Sequence, residues 1–169
     1  MAKVILGIDP GNARCGWGVV QEEGGELAML ACGCVETPKE EIAGNRLLSV
    51  YEQICTILKE YHPMALSMEK LFFSRNVTSA MAVAEARGVV LLAAAQAQVP
   101  VYEYTPSEIK ETMTGNGQAK KKEVEAAVVY TLNLDKAPKP DDTADAVDIA
   151  ITHISWEDFN GDCGNDCVY

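Results

Sequence analysis

The chain has 169 residues, enough for one domain with a single sizeable core, and its 48% of apolar and 23% of charged residues are typical of soluble globular proteins. No apolar run reaches the ~18 residues that a transmembrane helix needs, which excludes a membrane-spanning protein. The net charge of −11 counts only weakly against binding to nucleic-acid phosphates, because part of it lies in residues 156–169, which contain no lysine or arginine.

The chain begins with three predicted strands. Residues 3–9 are apolar and β-branched up to Asp9, where a Pro-Gly pair ends the strand. Residues 15–22 and 26–37 are two further strands, and they are joined at Gly24-Gly25, a pair typical of a hairpin turn. We therefore predict an antiparallel meander of three strands.

Beyond residue 40 the spacing of apolar residues changes to three or four, which indicates amphipathic helices alternating with short buried strands. In chain order we predict a helix, a strand, a helix, a strand and three further helices at residues 41–61, 64–69, 77–98, 99–104, 106–113, 120–133 and 142–154. This order predicts an α/β fold with a five-stranded mixed sheet, three antiparallel strands followed by parallel ones, and helices on both faces. Residues 156–169 lack periodicity, so we predict a disordered acidic tail behind a domain of residues 1–155.

The cysteines and the N-terminus indicate a reducing, cytoplasmic compartment. The first residues lack the cleavage site of a signal peptide, and we interpret them as the first strand. Four of the six cysteines lie in apolar strand or helix patterns, where a free thiol behaves as a small hydrophobic side chain. Cys163 and Cys167 form a lone CxxxC without a nearby histidine, which does not support a structural zinc site.

Four carboxylates fall where the predicted fold brings chain segments together. Asp9 ends the first strand and Glu69 ends the fourth, which a crossover helix returns beside the first. Asp142 and Asp145 are one helical turn apart on one face of the last helix. Such a cluster repels itself unless cations neutralise it, and Mg²⁺ prefers hard oxygen ligands. Two Mg²⁺ ions about 4 Å apart can activate a water and stabilise the leaving oxygen of a phosphodiester, with Mn²⁺ as a substitute.

Each of these acids has an ordinary structural interpretation when it is considered alone. An aspartate before Pro-Gly is often a turn former, and a glutamate at a strand end is usually solvated. Asp142 is a good N-cap candidate, and Asp145 at the third helical position is favoured by the helix dipole. Only their combination at strand ends within one fold pattern favours a shared catalytic role.

Five blocks of the sequence resemble the RuvC family of crossover-junction endonucleases, in the same order and at the same spacing. They are GIDPGNARCGWGVV, MEKLFFSRN, ARGVVLLAA, VYEYTPSEIK with the following TGNGQAKK, and DTADAVDIAITH, and they run from about residue 4 to residue 153. GIDPG, an intervening E(K/Q)xF and an aspartate pair in DxxDA form make a highly specific combination. The resemblance covers nearly the whole chain.

The resemblance implies a ribonuclease-H-like fold and a Mg²⁺-dependent endonuclease that makes paired symmetrical nicks in four-way Holliday junctions during homologous recombination and DNA repair. It makes Asp9, Glu69, Asp142 and Asp145 both the catalytic and the metal-binding residues. It also implies a homodimer and a partnership with the RuvA and RuvB branch-migration complex. The helix with ARGVVLLAAAQ is predicted to lie in the dimer interface, since paired nicks require paired sites. The alternative is that this helix packs only on its own sheet.

Basic and aromatic residues at matching positions are predicted to contact DNA. Lys110 and Lys121 lie where the family has functional lysines, and a lysine near the scissile phosphate can offset the charge of the transition state. For the lysine run that includes Lys121, the alternative is a solvated helix start. Phe72 resembles a wedge that replaces a lost base stack, whereas Phe73 is equally compatible with the core. Arg75 closes the same polar segment and is included among the DNA contacts.

Two features depart from the family pattern. Asp148 stands where the family usually has a small apolar residue, and we expect an exposed charge there rather than a group behind the metal ligands. The acidic tail replaces a basic or neutral end, and it either competes with DNA for the basic groove or has no effect.

Three other functions are alternatives to the junction nuclease. GIDPG also resembles the phosphate loop of actin- and sugar-kinase-like ATPases, but these need a second domain for which 169 residues leave no room. A closer alternative is a RuvC-like nuclease that acts on structured RNA. The third is a junction-binding scaffold without activity, against which the four intact acids argue.

Overall fold

The computed structural model describes residues 2–11, 13–38, 40–71 and 77–160, without the side chains of residues 77–79 and 158–160. In this part of the chain the strands are β1 (Lys3–Pro10), β2 (Arg14–Glu23), β3 (Glu26–Glu36), β4 (Ala65–Glu69) and β5 (Val101–Tyr104). The helices of the same part are α1 (Ala43–Tyr61), α2 (Val77–Gln96), α3 (Pro106–Thr114), α4 (Lys121–Thr131) and α5 (Asp141–Asn160). The described strands form one sheet in the order β3-β2-β1-β4-β5.

The sheet has the mixed pairing that the sequence predicts. β1, β2 and β3 pair as an antiparallel meander, and β1–β4 and β4–β5 pair in parallel. Gly24 and Gly25 make the turn between β2 and β3 with φ of 65° and 86°, values that glycine adopts without the penalty of a Cβ atom. The predicted α/β fold, with its five-stranded mixed sheet, is confirmed.

Two apolar layers cover the two faces of the sheet. On one face α1 and α2 pack with Ile54, Ile57 and Val90 against Leu6 and Leu66 of the central strands. On the other face α4 and α5 complete the core, which consists of Ile5, Val20, Ala65, Val128, Leu132, Val147, Ala150, Ile151 and Ile154, with Leu27, Met29 and Tyr102 packed against it. Because successive side chains of a strand point to opposite faces, neighbouring residues such as Ile5 and Leu6 serve different layers.

Helix α5 is longer than predicted. It continues to Asn160, so the predicted boundary at residue 155 falls inside the helix and residues 156–160 are helical rather than disordered. The extra turn is stabilised by Trp156, whose ring lies 5.6 Å from that of Tyr104 and whose Nε1 donates a hydrogen bond to Thr112 Oγ1 at 3.0 Å. The rest of the predicted tail, including Cys163 and Cys167, lies outside the described residues.

Candidate active site

The parallel pairing of β1 with β4 brings Asp9 and Glu69 to the same edge of the sheet. Ile8 pairs with Met68, and the next residue on each strand is an acid. Both acids directly follow fully buried apolar residues, Ile8 and Met68, so they lie at the boundary of the apolar core. This is the arrangement predicted from the two strand ends.

Close packing of α5 on β1 and β2 brings the second pair of acids to this edge. A Cβ atom at Gly7 would lie 2.0 Å from the backbone oxygen of Ala146, and one at Gly16 would lie 2.0 Å from that of Asp142. Gly16 is the partner of Asp9 in the β1–β2 ladder. The first turn of α5 therefore rests directly on the strand beside Asp9, which only glycine permits.

Helices α3 and α4 bring two lysines to the site. α3 begins at a capping box, in which Glu108 N donates to Thr105 Oγ1 at 3.2 Å and Thr105 N donates to Glu108 Oε2 at 2.6 Å. One turn further along, α3 carries Lys110. α4 begins at Lys121, whose Nζ donates to Asp145 Oδ2 at 2.8 Å and lies 3.8 Å from Asp141 Oδ2.

These side chains line one open cavity of about 350 Å³. Its walls combine charged groups with a few apolar ones from α3, α4 and α5, namely Asp9, Glu69, Lys110, Lys121, Asp145 and Asp148 together with Pro106, Ile109, Val124 and Ile149. Of the four predicted acids, Asp142 is not part of this wall. Its position over Gly16 and the effect of its charge on Asp9 place it next to the cavity.

Asp9 is at the electrostatic centre of the cluster. Burial raises the pKa of its carboxyl from 3.8 to about 7, and the negative charges of Asp145, Asp142 and Glu69 add to the shift. The positive charge of Lys121 lowers the pKa, but by less. Near neutral pH, the Asp9 carboxyl is therefore partly protonated, and further positive charge in the site would favour its ionised form.

Burial and neighbouring charges also shift the pKa values of Glu69, Asp145 and Lys121. Burial raises the pKa of Glu69, and so does the charge of Asp145, whereas Lys110 opposes the rise. Burial also raises the pKa of Asp145, against a hydrogen bond from Lys121. For Lys121, burial lowers the pKa, but the hydrogen bond to Asp145 and the surrounding negative charges outweigh it, so the pKa is raised.

Asp148 contradicts its predicted exposure. Its side chain is buried, and it lines the same cavity as Asp9, Glu69 and Asp145. Burial holds the pKa of the Asp148 carboxyl well above its ordinary value, and the neighbouring acids raise it further. The prediction was wrong because helical spacing alone does not show which side of α5 packs against the rest of the protein, and Asp148 lies on a packed side.

Arg14 belongs to the site and was not predicted. It is the first residue of β2, and its Nη1 lies 3.8 Å from Asp142 Oδ2 and its Nε 3.2 Å from Glu36 Oε1. The sequence feature that could have identified Arg14 is its position three residues after the GIDPG motif, close to Asp9. Three predicted DNA contacts lie outside the described residues, namely Phe72, Phe73 and Arg75.

The donor set suits a divalent cation of the hard type. Carboxylate oxygens are the ligands that Mg²⁺ prefers, and burial together with the charges of three other acids raises the pKa of Asp9, so added positive charge would stabilise the ionised cluster. In the part of the chain that the structure describes, no three histidine, cysteine, aspartate or glutamate side chains are already arranged to hold a metal ion. Asp145 instead uses Lys121 as its counter-ion. A bound cation would therefore replace this pairing and draw the acids together.

Comparison with known proteins assigns the chain first to a fold class and then to a family. A mixed sheet of this order, with acids at the ends of its two central strands, is the architecture of ribonuclease-H-like nucleases. The family model described as Crossover junction endodeoxyribonuclease RuvC matches residues 5–153. The chain belongs to this RuvC family of metal-dependent DNA endonucleases.

Individual relatives are similar to this chain over almost its full length. Crossover junction endodeoxyribonuclease RuvC of Roseiflexus sp. (strain RS-1) is 48% identical over 148 residues, which are 88% of each chain. The Thermus thermophilus RuvC structure matches with a TM-score of 0.87 at 38% identity and covers 92% of this chain and 96% of its own. T. thermophilus RuvC in complex with a Holliday junction substrate matches with a TM-score of 0.89 at 37% identity, covering 93% and 96%.

None of the helices in the described ranges is long and apolar enough to cross a membrane.

Proposed function

We propose that the chain is a Holliday junction resolvase, a Mg²⁺-dependent endonuclease that makes paired symmetrical nicks in four-way DNA junctions during recombination and repair. The observation that carries this proposal is the convergence of Asp9, Glu69, Asp142 and Asp145 at one sheet edge, in a chain that belongs to the RuvC family. The T. thermophilus relative that is similar over nearly the whole chain was solved with a junction substrate. Both facts support the same substrate class.

The four acids are proposed to be the catalytic and metal-binding residues. They would hold two Mg²⁺ ions, for which Mn²⁺ can substitute, and the bound metal supplies an activated water and a stabilised leaving oxygen. The chain's own part is to hold the acids in place, Asp9 and Glu69 on adjacent strands and Asp142 and Asp145 on the packed first turns of α5. Asp148 lies buried in the same cavity wall, and burial holds the pKa of its carboxyl well above its ordinary value.

Lys121 and Lys110 are proposed to contact the substrate phosphates. Both line the acidic cavity, where a positive side chain can offset the charge that develops on a phosphate in the transition state. Lys121 would exchange its partner Asp145 for a phosphate oxygen once a cation binds the aspartate. Phe72, Phe73 and Arg75 remain proposed DNA contacts, since they follow Glu69 within six residues of sequence.

Cleavage of a synthetic mobile four-way junction tests the function. In Mg²⁺ we expect symmetrical nicks in the junction and little cutting of a linear duplex of the same sequence. EDTA and the variant Glu69→Gln should both abolish the nicks, because each removes part of the metal site. Tight junction binding without cleavage would indicate a scaffold, and cleavage of a structured RNA alone would indicate the RNA-processing alternative; either result contradicts the proposal.

A homodimer is proposed, with α2 in the interface. α2 carries exposed apolar residues on the side that faces away from its own sheet, where Met81 is 59% and Leu92 is 53% exposed. Exposed large apolar side chains arranged on one helix face are typical of association surfaces. Two active sites related by a two-fold axis would match the two strands that a junction resolvase cuts.

Sedimentation at micromolar concentration checks the dimer. We expect the wild type to sediment as a dimer and Leu92→Asp as a monomer, because burying an unpaired carboxylate in an apolar interface is strongly unfavourable. Tyr130→Asp is the matched control, since Tyr130 is 89% exposed on α4, on the opposite side of the sheet. A wild type that sediments as a monomer, or an effect of Tyr130→Asp as large as that of Leu92→Asp, would contradict this interface.

Two further proposals follow from family membership. A RuvC-family endonuclease is expected to act with the RuvA and RuvB branch-migration complex, which would present the junction to it. A cytoplasmic location is proposed on the same ground, because the substrate is chromosomal DNA. The predicted organisation, a nuclease domain followed by a short acidic tail, is retained with the tail beginning after α5 rather than at residue 156.

A further inference from the structure

Arg87 of α2 reaches across to the ends of β4 and β5. Its guanidinium forms an ion pair with the carboxylate of Glu103, and each of the two side chains is only 11% exposed. Glu103 lies on β5 opposite Met68, the residue that precedes Glu69 on β4. The Arg87–Glu103 ion pair therefore lies next to the end of β4, where Glu69 is located.

The same guanidinium contacts the backbone of Glu69 itself. Arg87 Nη1 donates a hydrogen bond to the Glu69 carbonyl oxygen at 2.9 Å. The following amide, Lys70 N, donates to the Tyr104 carbonyl oxygen at 2.8 Å. The last residue of β4 is thus held from α2 and from β5, just before the chain leaves the sheet.

Arg87 also lies close to the reacting centre without being one of its acids. A second cavity, of about 160 Å³, is lined by Arg87 together with Asp9 and Glu69. Arginine suits this place because its planar fork donates in fixed directions, one towards a carboxylate and one towards a carbonyl.

The energetics of the ion pair favour a positioning role. Two charges withdrawn from water lose hydration, and a buried pair can often be replaced by apolar residues without loss of stability. Stability alone is therefore a weak reason for an ion pair at this position. Orientation of a metal ligand is a stronger reason, because removing a group that fixes such a ligand typically lowers metal affinity or activity by about 10–100-fold.

We propose that Arg87 is a positioning residue of the active site, which fixes the end of β4 so that the Glu69 carboxylate meets the other acids at the metal position. This inference rests on the proposed function, in which Glu69 is a metal ligand. Arg87 acts through the Glu69 backbone.

The test separates positioning from stability by removing both buried charges at once. In Arg87→Met/Glu103→Leu no buried charge is left unpaired, so the melting temperature should stay near that of the wild type. The hydrogen bond to the Glu69 carbonyl is lost, so we expect Mn²⁺ to bind the DNA-free protein about 10–100-fold more weakly in calorimetry. Lys59→Met is the control for the loss of a positive side chain remote from the site, because Lys59 is exposed near the end of α1, away from the acidic cluster, and its loss should leave the Mn²⁺ affinity unchanged.

Wild-type Mn²⁺ affinity in the double variant would overturn the proposal, and so would an equal loss in Lys59→Met. If the double variant does not fold, Arg87→Lys takes its place: lysine keeps the charge beside Glu103 but lacks the planar fork. We then expect a several-fold loss of Mn²⁺ affinity at a nearly unchanged melting temperature, and an unchanged affinity would again overturn the proposal. Because ion binding is measured without DNA, a wild type that fails to cut junctions would reject the proposed substrate and leave this result standing.

Discussion

Asp9→Asn is expected to abolish junction cleavage and, in the absence of divalent metal, to raise the melting temperature of the protein. Cleavage is lost, by about 10³-fold or more, because the amide is a poor ligand at the centre of the acidic cluster. Stability rises because burial, together with repulsion from three other acids, raises the pKa of the Asp9 carboxyl to about 7 in the folded protein. A neutral amide of nearly the same shape avoids this repulsion.

The pH dependence of this stabilisation follows from the direction of the pKa shift. The Asp9 carboxyl keeps its proton up to about pH 7 in the folded protein, but loses it near 3.8 when the chain is unfolded. Between these values the folded state binds more protons, so Asp9 makes the metal-free protein less stable as the pH rises, and the loss is complete above pH 7. The stability that Asp9→Asn gains over the wild type should therefore be larger at pH 8 than at pH 5.5.

The size of the effect can be bounded. A pKa difference of one pH unit between the folded and unfolded states corresponds to about 1.4 kcal/mol, and 1 kcal/mol shifts the melting temperature of a chain of this size by roughly 2–4 °C. The shift from 3.8 to about 7 then corresponds to at most roughly 4 kcal/mol, so we expect a rise of up to about 8–16 °C at pH 8, measured by calorimetry in EDTA. Mg²⁺ should raise the melting temperature of the wild type more than that of the variant, because the cation binds the intact carboxylate cluster.

Asp141→Asn is the matched control. Asp141 is exposed at the start of α5, and a hydrogen bond from Lys139 lowers the pKa of its carboxyl, so the folded state favours its charge. Its amide should not stabilise the protein and should leave Mg²⁺ binding intact. A melting temperature of Asp9→Asn in EDTA that is no higher than that of the wild type at pH 8 would contradict the electrostatic interpretation of the site.

Gly16→Ala is expected to destabilise the protein by about 1–3 kcal/mol and to reduce cleavage by about 10²-fold. The added Cβ atom would lie 2.0 Å from the backbone oxygen of Asp142, so the start of α5 must move by about 1 Å. Since α5 carries Asp142 and Asp145, this displacement separates them from Asp9 and Glu69. Urea unfolding and single-turnover cleavage of the junction measure the two effects.

Gly44→Ala provides the control for an added methyl group. No atom lies within 4 Å of a Cβ atom at Gly44, which is in the first turn of α1. Alanine there should be neutral or stabilise by up to ~1 kcal/mol, because it reduces the conformational entropy of the unfolded chain. If Gly16→Ala behaved like Gly44→Ala in both measurements, the close approach of α5 to β2 would not position the acids.

The sequence by itself determined the local elements of this site. Apolar β-branched residues up to Asp9, followed by a Pro-Gly pair, were enough to end a buried strand on an acid, and Thr105-Pro106 with Glu108 was enough to begin α3. These features depend on residues close in the chain, whose spacing and capping chemistry are visible in sequence. The family resemblance then supplied the proposed roles of the four acids, because its motifs lie at the same positions.

Only the tertiary structure decided which surfaces are covered and which distant residues meet. Asp148 was expected to be exposed and is buried, and α5 continues past residue 155 because Trp156 packs on Tyr104 and bonds to Thr112. The contacts of Arg14 with Asp142 and of Arg87 with Glu69 join residues far apart in the chain. Periodicity reports that one face of an element is apolar, but the partner that covers it is set by the packing of the whole sheet, so burial and long-range pairing are properties of the fold rather than of any segment.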